Sequence, residues 1–325
     1  MIQLIRNKQL GGVIIGLIIL VFSKIFFSRA PDFPFVTYTP LFSSLKNGLE
    51  NYPGLDIFLG LTFVLIQGGL LTFLLNYHKV ISERSFFPFI IYVLLAVVYN
   101  EQFYLNPASF LNFFILLIID RILRLQEAGI KPGNLFLDIG TLLGLAILFS
   151  KEAIFYIPVV FIGIAIVRAY SIANLIKMML SVFMVLFITA CIYYLMGDFE
   201  EFQLFFRFIP IDVAITLNHW QPRFYLLFGI LLLLSVVSFI HFQFNSTKVR
   251  NKSRRFAGVF GLLWAVGLFI VIFQELNLWY NMALTVIPIT VLSSNYFQEE
   301  MGWDSVKNIL FTMIVLGLWS VQMNY

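Results

Sequence analysis

Long runs of apolar residues, separated by short polar segments, recur along the whole chain. They cover about residues 10–28, 54–77, 86–101, 107–124, 134–149, 153–168, 175–196, 223–244, 257–274, 282–295 and 306–322. Most runs are about as long as a helix that crosses the bilayer hydrocarbon, where only helices and closed barrels satisfy their own backbone hydrogen bonds. The pattern predicts an all-α, polytopic transmembrane helical bundle of about eleven spans.

Several of these runs, such as 86–101 and 134–149, hold only 16 residues. A helix of that length extends about 24 Å, which is less than the hydrocarbon thickness of about 30 Å. We therefore expect the short helices to be re-entrant, to extend beyond the apolar runs, or to be shielded from lipid by their neighbours.

The composition is that of a membrane protein. Hydrophobic residues make up 60% of the chain and charged residues 12%, whereas about 25% of an ordinary soluble domain is charged. The net charge is +4, but the basic residues are scattered over short loops and form no extended patch. We therefore expect membrane lipids as partners and no nucleic acid.

Basic residues fall mainly in alternate loops, and their distribution predicts the orientation. With the amino terminus in the cytoplasm, 15 of the 21 Lys and Arg residues lie on the cytoplasmic side, as the positive-inside rule requires. The strongest signal is the loop at residues 248–255, which holds five basic residues. The prediction is N-in/C-out.

Two loops on the predicted outer side, 28–53 and 197–222, are long enough to hold structure. In the first, Leu41, Leu45 and Leu49 share one face of a short helix, and the second is rich in phenylalanine. We predict that both lie at the membrane surface. No repeat and no glycine/serine-rich linker divides the chain, so residues 1–325 are predicted to form a single integral membrane domain.

The sequence lacks the short motifs that identify common nucleotide-binding and catalytic sites. It contains no Walker A, HExxH, GxSxG or Rossmann pattern, which disfavours ordinary ATP-driven transport. The single cysteine, Cys191, excludes an intrachain disulfide, and no metal site is predicted. The three histidines, His78, His219 and His241, are far apart in the sequence and on two predicted sides of the membrane, which disfavours a haem held by two of them.

Two polar positions within the predicted spans are candidate intramembrane sites. Asp138 lies about one turn inside the fifth run, where a charge requires a partner or an aqueous cavity. Gln67, followed by Gly68 and Gly69, interrupts the second run, which indicates either close helix packing or local unwinding around a ligand. Other charges lie near predicted helix ends, so a proton or ion relay at mid-depth is disfavoured.

The opening MIQLIRNKQLGG and the phenylalanine-rich spans resemble an uncharacterised family of Bacteroidota inner-membrane proteins. The resemblance implies a multi-pass protein of the bacterial inner (cytoplasmic) membrane and a place in the cell envelope. It assigns no activity.

A second resemblance covers about the first 200 residues. The segments NPASFLNFFILLIIDRILR and GTLLGLAILFSKEAIFYIPVVFIG, after a span and a long outer loop, are similar to the GT-C class of polyprenyl-phosphate-sugar-dependent glycosyltransferases. That class often carries a lysine after a GLAILF-like helix, which Lys151 matches. It also carries a catalytic carboxylate in the first outer loop, for which Asp32, Glu50 and Asp56 are available.

The GT-C resemblance implies a set of site residues. Asp32 is the preferred catalytic base, because it lies in a proline-constrained stretch just outside the first span. Arg29, Lys151 and Arg223 would bind the lipid phosphate as cations at the level of the outer headgroups.

Three functional hypotheses follow. The leading one is an envelope-biogenesis protein that transfers or handles a polyprenyl-phosphate-linked sugar on the outer face of the membrane. The alternative is a non-catalytic integral subunit of a larger complex, whose partners would be other membrane subunits. A small-solute transporter is third. No cofactor is expected, except a divalent cation if the chain is a glycosyltransferase.

Overall fold

A computed structural model describes residues 14, 16–18, 39–49, 52–81, 85–98, 104–127, 132–207, 222–246, 251–273 and 278–298. Within these ranges all regular structure is helical and no strand occurs, which confirms the all-α prediction. Of the first predicted span only residues 14 and 16–18 are described, as helix, and the last span, 306–322, lies outside the described residues.

The helices that lie within the described ranges follow the apolar runs closely. They are α1 (Pro40–Leu49), α2 (Pro53–Tyr77), α3 (Phe87–Val98), α4 (Pro107–Arg124), α5 (Pro132–Phe149), a 3-10 helix (Lys151–Tyr156), α6 (Ile157–Val167), α7 (Ile172–Met196), α8 (Phe199–Arg207), α9 (Pro222–Ser246), α10 (Asn251–Phe273), α11 (Leu278–Ala283) and α12 (Val286–Gln298).

Proline marks the start of many of these helices. α1, α2, α4, α5 and α9 each begin with a proline, whose fixed φ suits the first helical position, where no backbone N–H is needed. At α4 the preceding Asn106 also caps the helix, because its side-chain oxygen accepts a hydrogen bond of 2.7 Å from the Ser109 N–H.

Three helical segments in the described part of the chain are long and apolar enough to cross a membrane: Gly54–Tyr77, Pro132–Phe149 and Ile172–Met196. Large apolar side chains are exposed along the whole length of α7, which is the pattern expected of a lipid-facing helix. The exposed side chains of α7 include Ile172, Ile176, Leu180, Phe183, Phe187, Ile188, Ile192 and Leu195. The chain is therefore a membrane protein.

Contacts within the chain divide it into two compact units. Unit 1 comprises residues 1–31, 64–103 and 214–325, and unit 2 comprises residues 32–63 and 104–213. The boundary falls inside α2, so this helix contributes its first turns to unit 2 and the remainder to unit 1. The number of spans, the N-in/C-out orientation and the single membrane domain stay predictions.

In unit 2, α4 and α5 run antiparallel. The rings of Phe110 and Phe149 stack at one end of the pair, with centroids 4.3 Å apart, and an Arg121–Asp138 ion pair joins the helices at the other end. We call the first end the α1 end, because α1 packs there, and the second the opposite end. α6 returns the chain to the opposite end, where the Gln126 amide donates to the Val167 carbonyl.

Two glycines bring α5 and α7 into close contact. A Cβ atom added at Gly140 would lie 2.2 Å from the Met178 carbonyl oxygen, and one added at Gly144 would lie 2.9 Å from the Val185 Cβ. The Thr141 and Ser181 hydroxyls form a hydrogen bond of 2.8 Å across the same interface. This is the GxxxG mode of packing, in which small residues let two backbones approach.

Unit 1 explains how short helices are accommodated. Every residue of α12 is buried, and nearly every described side chain of α3 is buried too. α12 packs against α3, α9 and α10. A 13-residue helix is only about 20 Å long, but it needs no match to the bilayer because protein surrounds it. Of the three expectations for short runs, shielding by neighbours applies to these two.

The Gln67–Gly69 segment lies inside an unbroken helix. α2 continues from Pro53 to Tyr77 without interruption, and the Gln67 side-chain oxygen accepts a hydrogen bond from the Tyr92 hydroxyl of α3. A Cβ added at Gly68 would lie 3.1–3.2 Å from the rings of Phe89 and Tyr92. The segment therefore serves close packing between α2 and α3.

Candidate functional site

The short helix α1 covers the α1 end of unit 2. Its Leu41 packs against the buried cluster of Leu148, Tyr193 and Phe202. The Tyr193 hydroxyl donates a hydrogen bond of 2.7 Å to the Pro40 carbonyl oxygen, which ties α1 to α7. The predicted leucine-faced helix in loop 28–53 is thus present, and its apolar face packs on protein.

The second predicted surface loop also begins with a helix at this end. α8 contacts both α1 and α7, and its Phe202 and Phe205 are buried. Glu200 and Glu201 occupy its first turn, where negative charge interacts favourably with the helix dipole. Residues 208–221 of this loop lie outside the described residues.

A half-buried ion pair fixes the far end of α1. The Lys46 ammonium lies 2.7 Å from the Asp56 carboxylate at the start of α2, and the other oxygen of Asp56 accepts the Leu105 N–H at 3.1 Å. Burial, followed by the negative charge of Asp56, raises the pKa of Tyr104. Asp56 therefore joins α1, α2 and the segment that enters α4.

Replacing Lys46 by methionine should lower the free energy of unfolding by about 1–2 kcal/mol. The change leaves the buried Asp56 carboxylate without its cation, and the partial exposure of the lysine reduces the cost below that of a fully buried pair. Chemical denaturation in detergent micelles measures the effect. Asn47→Ala, at an exposed position of α1, is the control, and equal stability of the two variants would contradict a holding role for the ion pair.

A row of aromatic rings connects α1 with the end of α5. Phe42 of α1 contacts Phe110 edge to face at 6.2 Å between centroids, and Phe110 stacks on Phe149. Phe149 is the last residue of α5 and is followed directly by Ser150 and the 3-10 helix. The rings thus lead from α1 to the turn between α5 and α6 at this end.

The turn contains a buried carboxylate. The sequence predicted a single helix over 153–168, but the chain first forms a 3-10 helix, and α6 begins at Ile157 with Pro158 in its first turn, because proline fits the first turn of a helix and not its interior. Glu152 is 1% exposed and Ser150 is fully buried. The Ser150 hydroxyl donates a hydrogen bond to the Glu152 carboxylate.

Lys151 and Tyr156 flank this carboxylate. Lys151 is half-buried, and because a 3-10 helix has 3.0 residues per turn, it points about 120° away from Glu152. Tyr156 is 3% exposed. Burial, and after it the negative charge of Glu152, raises the pKa of the Tyr156 phenol, so this tyrosine is a neutral hydrogen-bond donor. We call Ser150, Lys151, Glu152 and Tyr156 the turn site.

Among the predicted site residues, Lys151, Asp138 and Gln67 are those whose side chains the structure describes. Asp32 and Arg29 lie outside the described residues. Arg223 is the second residue of α9, in unit 1, and its side chain is not among those described. Lys151 belongs to the turn site, whereas Gln67 belongs to unit 1 and Asp138 to the opposite end of unit 2.

Asp138 has a counter-ion. Its carboxylate lies 3.2 Å from the Arg121 Nε, and its side chain is 51% exposed. Arg121 also approaches Asp120 at 3.1 Å, and Arg124 approaches Asp120 at 2.8 Å. The charge of Asp138 is therefore compensated by a network of two carboxylates and two guanidinium groups at the opposite end.

The sequence interpretation did not select Glu152 or Tyr156 as site residues. The signal that could have found Glu152 was a carboxylate directly after the lysine at the end of an apolar run. Tyr156 gave no such signal, because a tyrosine at a span end is ordinary in membrane proteins. Both residues belong to the buried part of the 3-10 helix.

The divalent cation implied by the GT-C resemblance finds no ligand set among the described residues. None of their His, Cys, Asp and Glu side chains form a group of three or more that could hold a metal ion. The turn site itself offers one carboxylate, one hydroxyl, one phenol and one cation, which suits hydrogen bonding and charge pairing.

Comparison with protein families finds a match. The model of a family described as "Family of unknown function (DUF6427)" matches residues 35–323, which is nearly the whole chain. No curated protein and no solved structure matches.

Proposed function

The chain belongs to the DUF6427 family of unknown function, and from that premise we propose that it is an inner-membrane protein of bacterial cell-envelope biogenesis that transfers a lipid-linked sugar at the turn site. The observation that carries the proposal is a buried carboxylate, Glu152, directly beside a half-buried cation, Lys151, at the end of a helix able to cross the membrane.

Burying a carboxylate costs free energy and is usually retained for a reason. In this proposal Glu152 is the general base. The acceptor hydroxyl gives its proton to the Glu152 carboxylate while the acceptor oxygen forms a bond to the anomeric carbon of the sugar. The bond from that carbon to the phosphate oxygen breaks, and the polyprenyl phosphate leaves with the bonding electron pair.

Lys151 is suited to hold the leaving phosphate. A lysine ammonium is a point charge with three donors on a flexible stem, and such groups bind phosphate at membrane surfaces. Since Lys151 and Glu152 point to different sides of the 3-10 helix, the cation and the base can act on different parts of one substrate. Asp32, in the first outer loop, stays an alternative base that the GT-C resemblance favours.

In this proposal the α1 end faces outward and the opposite end faces the cytoplasm. The support is the charge distribution of unit 2. The described basic residues at the opposite end outnumber those at the α1 end, where only Lys46 and Lys151 occur before residue 207, and lysine and arginine resist translocation. Those at the opposite end are Arg121, Arg124, Arg168 and Lys177.

The proposal is tested with the full chain in lipid nanodiscs and a panel of undecaprenyl-phosphate-linked hexoses carrying a radiolabelled sugar. Envelope extract from a strain lacking the gene supplies the acceptor. We expect the label to move from the lipid into the extract with at least one hexose, and the same hexosyl lipid to raise the melting temperature of the protein. Absence of both transfer and thermal shift across the panel would overturn the proposal, and stoichiometric co-purification of other membrane proteins would then favour the subunit hypothesis.

Lys151→Met is expected to weaken binding of undecaprenyl phosphate about tenfold, because a charge-assisted hydrogen bond to phosphate contributes about 1.5 kcal/mol. Affinity is measured by thermal shift against lipid concentration. Lys177→Met is the matched control, since this lysine belongs to the same unit but lies near the start of α5, at the opposite end. Equal affinity of both variants would remove Lys151 from the phosphate site.

A further inference from the structure

We propose that Arg168, at the opposite end of unit 2, binds the phosphate group of an anionic phospholipid at the membrane surface. The inference goes beyond the proposed sugar transfer and does not depend on it. It rests on the strained backbone position that Arg168 occupies, on the exposure of its side chain and on the lipid-facing residues that follow it.

The helix α6 ends in a Schellman motif, and Arg168 occupies its left-handed position. The Arg168 N–H donates to the Ala165 carbonyl at 2.9 Å. The Ala169 N–H donates to the Ile164 carbonyl at 3.2 Å. Arg168 has a φ of 61°, which strains a residue that has a Cβ and is therefore usually left to glycine. Arginine at this position has a backbone cost that glycine would not have.

The same motif occurs with glycine elsewhere in unit 2. At the end of α7, Gly197 has a φ of 85° and the chain forms the same pair of backbone hydrogen bonds. Among the described residues, the non-glycine positions with positive φ are Lys79 and Arg168. Both lie on the predicted cytoplasmic side, whereas Gly197 lies on the predicted outer side. Basic residues thus replace glycine where the sequence predicts the cytoplasmic surface.

Two simpler explanations do not account for an arginine at this position. A cation at a helix C-terminus interacts favourably with the helix dipole, but this contribution is no larger than the backbone cost. The positive-inside rule favours a basic residue near the span end, but the next position, Ala169, would meet the rule without a positive φ. A further favourable contact of the Arg168 side chain is therefore needed.

The surroundings of Arg168 indicate where this contact lies. The side chain is exposed and forms no hydrogen bond or ion pair with any described residue. Tyr170, Ile172 and Ile176, which follow it, are largely exposed as well, and α7 is long and apolar enough to cross a membrane. Tyrosine is typical of the depth at which hydrocarbon meets the headgroups. Arg168 is thus a cation at the headgroup level.

The phosphate of an anionic phospholipid fits this position. A guanidinium group can hold a phosphate through two parallel N–H···O hydrogen bonds, and anionic lipids attract basic residues beside a span. The acyl chains of the same lipid would lie against the exposed apolar side chains at the start of α7. A zwitterionic lipid has the same phosphate but carries its own cation, so we expect a preference for headgroups with net negative charge.

The test compares Arg168→Gly with the wild-type chain in nanodiscs of phosphatidylcholine or of phosphatidylglycerol. In phosphatidylcholine the variant should melt at the wild-type temperature or above, because glycine relieves the backbone strain. In phosphatidylglycerol it should melt below the wild type. When phosphatidylglycerol is titrated into detergent micelles, half-maximal stabilisation of the variant should need about fivefold more lipid, the factor expected for one basic residue at an anionic surface.

Two further variants separate the charge from the backbone. Arg168→Gln keeps a side chain at the left-handed position but removes the charge, so it should show the same fivefold loss. Gly197→Ala measures the cost of the left-handed position alone, because no atom lies within 4 Å of an added Cβ. It should melt below the wild type in both lipids and keep the full response to phosphatidylglycerol.

Three results would overturn the inference. Arg168→Gly could melt lower by the same amount in both lipids, which would show that the arginine serves the fold alone. Arg168→Gly and Arg168→Gln could both keep the full response to phosphatidylglycerol, which would show that no headgroup binds there. Inorganic phosphate could stabilise the wild type, but not Arg168→Gln, in phosphatidylcholine, which would assign the position to a soluble anion. None of these results bears on transfer at the turn site.

Discussion

Gly140→Ala is expected to lower the free energy of unfolding by about 2 kcal/mol or more, the range found when extra atoms are forced into a packed interface. The added methyl carbon would lie 2.2 Å from the Met178 carbonyl oxygen and 2.8 Å from the Ser181 Cβ. A backbone carbonyl cannot rotate away, so α5 and α7 would have to separate. This loss should outweigh the intrinsic preference of alanine over glycine in a helix.

The measurement is equilibrium unfolding in mixed detergent micelles, followed by the helical signal. Gly69→Ala is the matched control, because Gly69 also lies inside a long helix but has no atom within 4 Å of an added Cβ. The control should be neutral or stabilising. If the Gly140→Ala and Gly69→Ala variants had the same free energy of unfolding, this result would contradict the close contact between α5 and α7.

Glu152→Gln is expected to reduce the rate of sugar transfer by about 10²- to 10⁴-fold, which is the usual contribution of a general base. Glutamine keeps the size of the side chain and can still hydrogen-bond to Ser150, but it cannot take up a proton. Binding of the hexosyl lipid should persist, because the side chain still offers an oxygen acceptor. The assay is transfer of labelled hexose in nanodiscs under single-turnover conditions.

Glu200→Gln is the control for this substitution, since Glu200 is an exposed acid of α8 at the same end of unit 2, and its transfer rate should equal that of the wild type. Asp32→Asn separates the two candidate bases. If Asp32→Asn abolishes transfer and Glu152→Gln retains it, the base lies in the first outer loop and Glu152 does not take the proton.

The helices could be predicted closely from the sequence, because two local signals act together. Apolar runs define the helical segments, and prolines at positions such as 53, 107 and 132 mark their starts. The 3-10 helix at residues 151–156 is an exception with a local cause too. Pro158 occupies the first turn of the next helix and leaves the preceding residues in a tighter 3-10 turn, which the apolar pattern alone does not reveal.

Whether the helix of a short apolar run is buried by protein or exposed to lipid could not be predicted, because this depends on which helices pack around it. α12 and α7 both overlap apolar runs of the sequence, yet α12 is buried on every side, whereas α7 exposes one face along its length. The spacing of Gly140 and Gly144 similarly indicates a close helix contact. It does not indicate that the partner is α7.

The candidate site likewise contains one residue that was selected from the sequence and others that were recognised only in the structure. Lys151 was selected by resemblance, and the structure places it, half-buried, at the start of the 3-10 helix after α5. Glu152 and Tyr156 could not be selected from the sequence, because a carboxylate and a phenol at a helix end are unremarkable when exposed. Their burial is visible only in the structure. Asp138, by contrast, was selected because a charge inside a span needs compensation, and Arg121 provides it.

The most direct test of the turn site is photo-crosslinking of the full chain in nanodiscs with a hexosyl undecaprenyl phosphate that carries a photoreactive group on the sugar, followed by mass spectrometry of the labelled peptides. We predict labels on residues 150–156, competed away by the unmodified lipid. Competed labels confined to the opposite end, at residues 120–138 or 167–177, would contradict the account.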